Sequence, residues 1–270
     1  MSTNKNYHWR KQPTSYYPPA PATLARQIRP TEVLGVTITS PQYQHLTEEA
    51  VRRFHQQTGL DVAVLWSAQE PAFAVKLNLD LLLAPVPIVY FDVDLWMLRP
   101  FDFRPIAQAG RFAAVPDPGA WNPNAFPHID SERFGWEKES YFNSGLFACD
   151  LGRPDIRQLF IEARARLDAC HGDTTQAPAD WTDQFFLNWA VQRQPGLFKR
   201  LPFALNFYKK AVDWGSYPHI PREIIGLHAA GVPLDEKLGK LRREAEVFGE
   251  PAGPMYAEAV RHHYRRRLEI

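Results

Sequence analysis

Short apolar runs alternate with amphipathic stretches along the middle of the chain. Val33-Leu-Gly-Val-Thr-Ile-Thr39 has the β-branched content of a buried strand. The next segment, Leu46 to His55, places apolar residues at 46, 50, 51 and 54, one face of a helix, with Gly59 as its cap. Val62-Ala-Val-Leu-Trp66 predicts a second strand, and Phe73 to Leu83 a helix stopped by Pro85 and Pro87. Ile88-Val-Tyr-Phe91 is a third short apolar strand. Strands separated by helices of this length imply βαβ units and a parallel sheet. The expected fold class is α/β with one core.

The pattern beyond is less regular. Phe112 to Val115 and Leu146 to Cys149 read as strands, separated by a loop rich in Pro, Gly and Asn from Pro116 to Lys138. Helices are predicted over 155–170 and 181–191, a late strand over Ile224 to Leu227, and a polar helical end from Leu238 onward. Ahead of the first strand, Pro13, Pro18, Pro19, Pro21 and Pro30 remove donors and fix φ, giving an extended arm. Its Tyr7, Trp9, Tyr16 and Tyr17 suit contact with the domain surface or a partner subunit. The chain thus divides into an arm (1–32), a domain (33–235) and a basic, helical C-terminal segment (236–270).

Composition narrows the functional classes. In 270 residues, 31 basic against 30 acidic side chains leave a net charge of +1, so no global field draws in nucleic acid or an anionic membrane. The cluster Arg261-His-His-Tyr-Arg-Arg-Arg267 is a local exception, a phosphate-attracting patch or a solvated helix face. Two cysteines, Cys149 and Cys170, make no disulfide framework. No apolar stretch approaches the ~18 residues of a membrane span, and the N-terminus lacks a signal-type apolar run. The expectation is a soluble, cytoplasmic protein with a core, open to homo-oligomerisation.

Candidate chemistry begins at Val89-Tyr-Phe-Asp92-Val-Asp94, two carboxylates directly after an apolar strand. Ligands of open α/β sheets bind beyond the carboxyl ends of strands. In a turn, an Asp-x-Asp pair can converge on one hard cation, although the tripeptide alone also fits a solvated strand end.

Further segments lie in order around this pair. They are Phe73-Ala-Val-Lys76, Val115-Pro-Asp117-Pro-Gly119, Tyr141-Phe-Asn143-Ser144-Gly145, Asp183-Gln184-Phe-Phe-Leu-Asn188, Leu201-Pro-Phe-Ala-Leu-Asn206 and His228-Ala-Ala-Gly231. In order and spacing the chain resembles glycosyltransferase family 8, the glycogenin-like retaining transferases, from about Thr37 to Gly231. The resemblance implies a GT-A fold with a mixed, mostly parallel sheet, a nucleotide-diphosphate sugar donor, most commonly a UDP-sugar, and a divalent metal, Mn²⁺ or Mg²⁺.

It also implies residue roles, each beside a plainer alternative. Asp92, Asp94 and His228 match the metal ligands, and Asp92, Val93 and Gly231 are also expected to bind the donor; a core histidine is the alternative for His228. Lys76 matches a basic residue reaching the donor phosphate or sugar, where an exposed helix lysine would be ordinary. Asn143, Ser144 and Gly145 match the loop lining the donor sugar, and Asn-Ser-Gly is also good turn chemistry before a strand. Asp183 and Gln184 match the pair beside the anomeric carbon, and equally suit a helix N-terminus. Thr39, Ser40 and Tyr43 match residues around the nucleotide base, and Gly231 closes the His-x-x-Gly motif. Asp117 lies in a Pro-rich turn that can be purely structural.

One departure is plain. Many family members continue from His-x-x-Gly into Lys-Pro-Trp, whose lysine contacts the donor phosphate, whereas here the first lysine is Lys237. The expected activity is metal-dependent, retaining glycosyl transfer to an acceptor hydroxyl. The acceptor is left open among a glycan, lipid-linked sugar, protein, metabolite or modified nucleobase. The rivals are a non-catalytic sugar-nucleotide or glycan-binding protein and a metal-dependent phosphohydrolase.

Overall fold

A computed structural model describes residues 32–67, 75–117, 140–171, 183–208 and 223–249. Residues 1–31 of the N-terminal arm, most of the 116–138 loop and the 261–267 basic cluster lie outside the described residues.

The strands are β1 (Leu34–Thr39), β2 (Val62–Trp66), β3 (Pro87–Phe91), β4 (Leu95–Met97), β5 (Phe112–Pro116), β6 (Phe142–Asp150), β7 (Phe198–Arg200) and β8 (Gly226–His228). Six form one sheet in the order β2-β1-β3-β6-β5-β7, while β4 and β8 pair separately. Strands β1, β2 and β3 run parallel, as do β5 and β7; β6 alone runs antiparallel to its neighbours. The sheet is therefore mixed and mostly parallel.

The longer helices are α1 (Gln44–Thr58), α2 (Pro154–His171), α3 (Asp183–Gln192) and α4 (Leu234–Gly249). Alternate residues of the central strands explain how they sandwich the sheet. Val89 and Phe91 of β3, with Leu146 and Ala148 of β6, face the core that takes Leu46, Ala50 and Phe54 of α1 and Leu241 and Phe248 of α4. Ile88, Tyr90, Phe147 and Cys149 face the opposite core, with Ile156, Leu159 and Phe160 of α2 and Phe186 of α3. Both faces are covered, which is why these strands read as continuous apolar runs. Helix α1 is locked by Phe54, whose ring stacks on Phe91 at 3.9 Å, and it ends where Gly59 adopts φ 64°. That left-handed cap suits glycine, having no Cβ to clash.

Three expectations need correction. Asn143, Ser144 and Gly145 are not a turn or loop: they lie inside β6, which starts at Phe142 rather than Leu146. The late strand is shifted, so His228 is its last residue instead of following it. The helix expected over 73–83 is interrupted rather than continuous: Val75 and Lys76 are helical, Leu77–Asn78 form a turn, and a short helix Leu79–Leu82 follows, with residues 73–74 outside the described range.

Candidate functional site

The parallel strands β1 and β3 end side by side, and the chain leaving β3 turns at once. Leu95 N donates to Asp92 O (2.9 Å), so Asp92 and Asp94 project from a tight bend. Strand β8 then pairs antiparallel with β4, its register setting His228 opposite Leu95. His228 Nε2 comes to 3.2 Å from Asp94 Oδ1 and 3.9 Å from Asp92 Oδ2. One ligand atom from each of the three residues lies within 4.8 Å of the others. Residues distant in sequence thus converge through one turn and one strand pair.

The hydrogen bonds around the histidine fix its tautomer. Gly145 N donates to Asn143 Oδ1 (2.9 Å), which makes that atom the amide oxygen. Asn206 Nδ2 donates to the same oxygen (2.9 Å), so Asn206 Oδ1 is left to accept from His228 Nδ1 (2.8 Å). With Nδ1 carrying a proton, Nε2 is the ring nitrogen that faces the two carboxylates, the atom that can ligate a cation. Three acceptors facing one point require a cation or proton between them.

Gly145 leaves the room. A Cβ there would overlap His228 Cε1 and lie 2.9 Å from Asn143 Oδ1 and 3.1 Å from Asp92 Oδ2. The donor set of two carboxylates and one imidazole, with this cleared space, fits a divalent ion of the Mn²⁺ type. Asp92, Asp94 and His228 are the residues that could hold it.

On the other side of Asp92 lies a buried cation. Lys76 Nζ reaches Asp92 Oδ1 (3.0 Å), Asp183 Oδ2 (2.8 Å) and Ser144 O (3.3 Å), and sits 4.5 Å from the Tyr90 ring centre. Burial opposes its charge, but Asp183 and Asp92 more than offset this and raise its pKa. Tyr90 Oη also donates to Asp92 Oδ1 (2.6 Å), and burial with the Asp92 charge pushes that phenol well up. Asp94 is resisted by burial, yet His228 and Lys237 hold its carboxyl below the ordinary range. Lys237 Nζ pairs with Asp94 Oδ2 and donates to Ala229 O (3.0 Å).

Helix α3 supplies the remaining polar wall. Asn188 bonds both Phe142 N and Phe142 O (2.8 Å each), pinning the helix to β6. Asp183 Oδ2 accepts from Ser144 Oγ (2.5 Å). Gln184 accepts from Ser144 N (3.2 Å) and donates to Asp117 Oδ2 (2.7 Å). Tyr208 donates to the other Asp117 oxygen, so Asp117 belongs to this network.

The structure thus gathers Lys76, Asp92, Asp94, Asn143, Ser144, Gly145, Asp183, Gln184 and His228. Thr39, Ser40 and Tyr43 stand at the end of adjacent β1 in a separate group, where Thr39 Oγ1 bonds Thr47 Oγ1 (2.6 Å). Ser40 Oγ is buried without a hydrogen-bond partner among the described residues. Val93 packs its side chain into the α1 core, and Gly231 takes φ 67° in the turn after His228. Sequence reasoning assigned no site role to Tyr90, Asn206 or Lys237. Asn206 closes a segment noted for its pattern, whereas Tyr90 reads as an ordinary apolar strand position.

Comparison with solved structures gives the fold a name. The apo WbbM bifunctional glycosyltransferase superposes with TM-score 0.57 at 12% identity, over 80% of this chain and 51% of that one. The chain has a GT-A glycosyltransferase fold. Mouse xyloside xylosyltransferase 1 matches with TM-score 0.52 at 11% identity, covering 74% of this chain and 98% of its own. The apo glycosyltransferase GlyE of Streptococcus pneumoniae TIGR4 gives 0.53 at 12% identity, over 86% of this chain and 63% of that one. The chain therefore spans about half of the first of these structures. No protein-family model and no curated protein sequence matches it. Among the described residues, no helix is long and apolar enough to cross a membrane.

Proposed function

We propose that the protein is a metal-dependent, retaining glycosyltransferase of the family 8 type, moving a sugar from a UDP-linked donor to an acceptor hydroxyl. The observation that carries this is the convergence of Asp92 Oδ2, Asp94 Oδ1 and His228 Nε2 on one cleared space. A bound Mn²⁺ or Mg²⁺ would supply Lewis-acid stabilisation of the departing diphosphate.

The chain's own residues do the rest. Lys76, a cation throughout the neutral range, adds positive charge beside the leaving group and holds Asp92 and Asp183 in place. Asp183 and Gln184 stand across Ser144 from the metal ligands, where they orient the sugar and favour developing positive charge at its anomeric carbon. Gly145 permits close approach. Thr39, Ser40 and Tyr43 receive the base, Ser40 Oγ being an unpartnered polar atom there. In the transfer the acceptor oxygen bonds to the anomeric carbon as the bond to the diphosphate breaks. The acceptor's proton passes to a phosphate oxygen.

Calorimetry of UDP with Mn²⁺ tests the metal assignment. Asp94→Asn is expected to abolish Mn²⁺-dependent UDP binding while circular dichroism stays unchanged. Unaltered affinity in that variant removes the central claim. Mn²⁺-dependent UDP binding without slow donor hydrolysis, across a panel of nucleotide sugars, would instead mark a binding protein of this fold.

A further inference from the structure

Each of the three proposed ligands has its second polar atom occupied from a different element. Asp92 Oδ1 accepts from Tyr90 and Lys76, His228 Nδ1 is tied to Asn206, and Asp94 Oδ2 holds Lys237. We propose that Lys237 is a specificity-determining positioning residue. By occupying Asp94 Oδ2 it makes the centre bind through one oxygen per carboxylate, selecting small octahedral cations such as Mn²⁺ or Mg²⁺ over Ca²⁺. This inference rests on the metal reading above and assigns a role that reading leaves open.

The geometry gives Lys237 little freedom. Asp94 turns Oδ1 toward His228, so the oxygen on Lys237 is the one facing away. Lys237 is buried and also bonded to Ala229 O, in the turn that leaves His228. Its backbone N–H donates to Pro233 O (3.1 Å) in the first turn of α4, and that helix seats Leu241, Ala245 and Phe248 in the core. Swinging the ammonium away from Asp94 would break both of its buried bonds while the docked helix holds the stem in place. Because Tyr90 and Lys76 hold Asp92 Oδ1 in the same manner, neither carboxylate is free to bite with both oxygens.

That restriction discriminates between ions. Ca²⁺ takes 6–8 oxygen ligands and commonly gains several from bidentate carboxylates, whereas Mg²⁺ demands an octahedron with single-oxygen ligands. Mn²⁺ accepts the same arrangement and tolerates an imidazole. Lys76 serves Asp183 as well as Asp92, so Lys237 is the cleaner residue to alter.

The test is titration with Mn²⁺ alone and Ca²⁺ alone, without nucleotide, on the wild type and on Lys237→Met. The wild type is expected to bind Mn²⁺ at least ~10-fold more tightly than Ca²⁺. In Lys237→Met both ions gain affinity as a positive charge leaves, and Ca²⁺ gains on the order of 10-fold more, the scale typical of outer-ligand changes. Lys237→Arg, which keeps a cation on Oδ2, retains the wild-type ratio. A purely structural lysine would shift both affinities together, and an unchanged Mn²⁺/Ca²⁺ ratio in Lys237→Met overturns the proposal. Should that variant not fold, wild-type Ca²⁺ binding as tight as Mn²⁺ overturns it equally. Absence of Mn²⁺ binding, or binding indifferent to Asp94→Asn, overturns the metal reading and this inference together. Asp94-dependent Mn²⁺ binding with an unchanged ratio overturns only the role of Lys237.

Discussion

At the scale of single residues, Gly145 decides whether the ligands can converge. Its hypothetical Cβ meets the His228 ring, Asn143 Oδ1 and Asp92 Oδ2 together, and the ring is held by Asn206 on its far nitrogen. Nothing nearby yields cheaply. Gly145→Ala is expected to cost about 1–3 kcal/mol of stability through overpacking and to weaken Mn²⁺-dependent UDP binding. Urea unfolding with calorimetry checks both; a variant unchanged in each would show the space to be larger than described. Lys76 gives a pH signature of fixed sign. Its folded pKa lies above its unfolded value, so its contribution is complete below about pH 10.4 and is lost as pH rises through the folded value. Urea midpoints across the alkaline range should therefore fall more steeply for the wild type than for Lys76→Met. Parallel slopes would mean that the lysine gains nothing from Asp183 and Asp92.

At the scale of elements, the segment bearing Lys76 depends on a buried clasp. Arg164 of α2 grips the Asp80 carboxylate with both terminal nitrogens and donates to Leu77 O (2.7 Å). Arg157 adds a bond to Asp80 O (3.2 Å). Removing Arg164 leaves a buried carboxylate without its main partner, so Arg164→Met is expected to cost about 3–5 kcal/mol in urea unfolding. A loss below about 1 kcal/mol would mean that the clasp does not hold this segment. The same scale separates what the sequence shows from what it hides. Strands β1 and β3 were legible because both faces are buried, leaving unbroken apolar runs, and Asp92 stood out because it ends one. The start of β6 was not legible, since Asn-Ser-Gly has turn chemistry. Those residues join the strand because Asp183, Gln184 and Asn206 satisfy their polar groups, partners 39 to 63 positions away. Strand β4 is three residues long and β7 largely exposed, too little for a periodic signal. Lys237 is the first lysine after the His-x-x-Gly motif, yet its sequence position gives it no role. Only the turn at Gly231 and the docking of α4 return it to Asp94.

At the scale of the molecule, both layers contribute to one end of the sheet. Lys76 and Asp183 approach from the side of α2 and α3, while His228 and Lys237 arrive with β8 and α4 from the other. Among the described residues, the carboxylates gathered there are all engaged. Asp92 accepts from Tyr90 and Lys76, Asp94 pairs with Lys237, Asp117 accepts from Gln184 and Tyr208, and Asp183 from Ser144 and Lys76. An inverting transfer needs a carboxylate base to deprotonate the acceptor on the face opposite the leaving group. Protonating any of these groups would weaken the charge-assisted hydrogen bonds that it already accepts, each typically worth about 1.5–3 kcal/mol. A donor phosphate oxygen carries no such cost, because cleavage itself makes it basic, and it lies on the leaving-group side. On the retaining proposal the acceptor approaches from that side, so an α-linked donor is expected to give an α-linked product. Proton NMR of the anomeric coupling, read on early product before any equilibration, distinguishes the outcomes. A β-linked product would remove the retaining assignment while leaving the proposed metal site untouched.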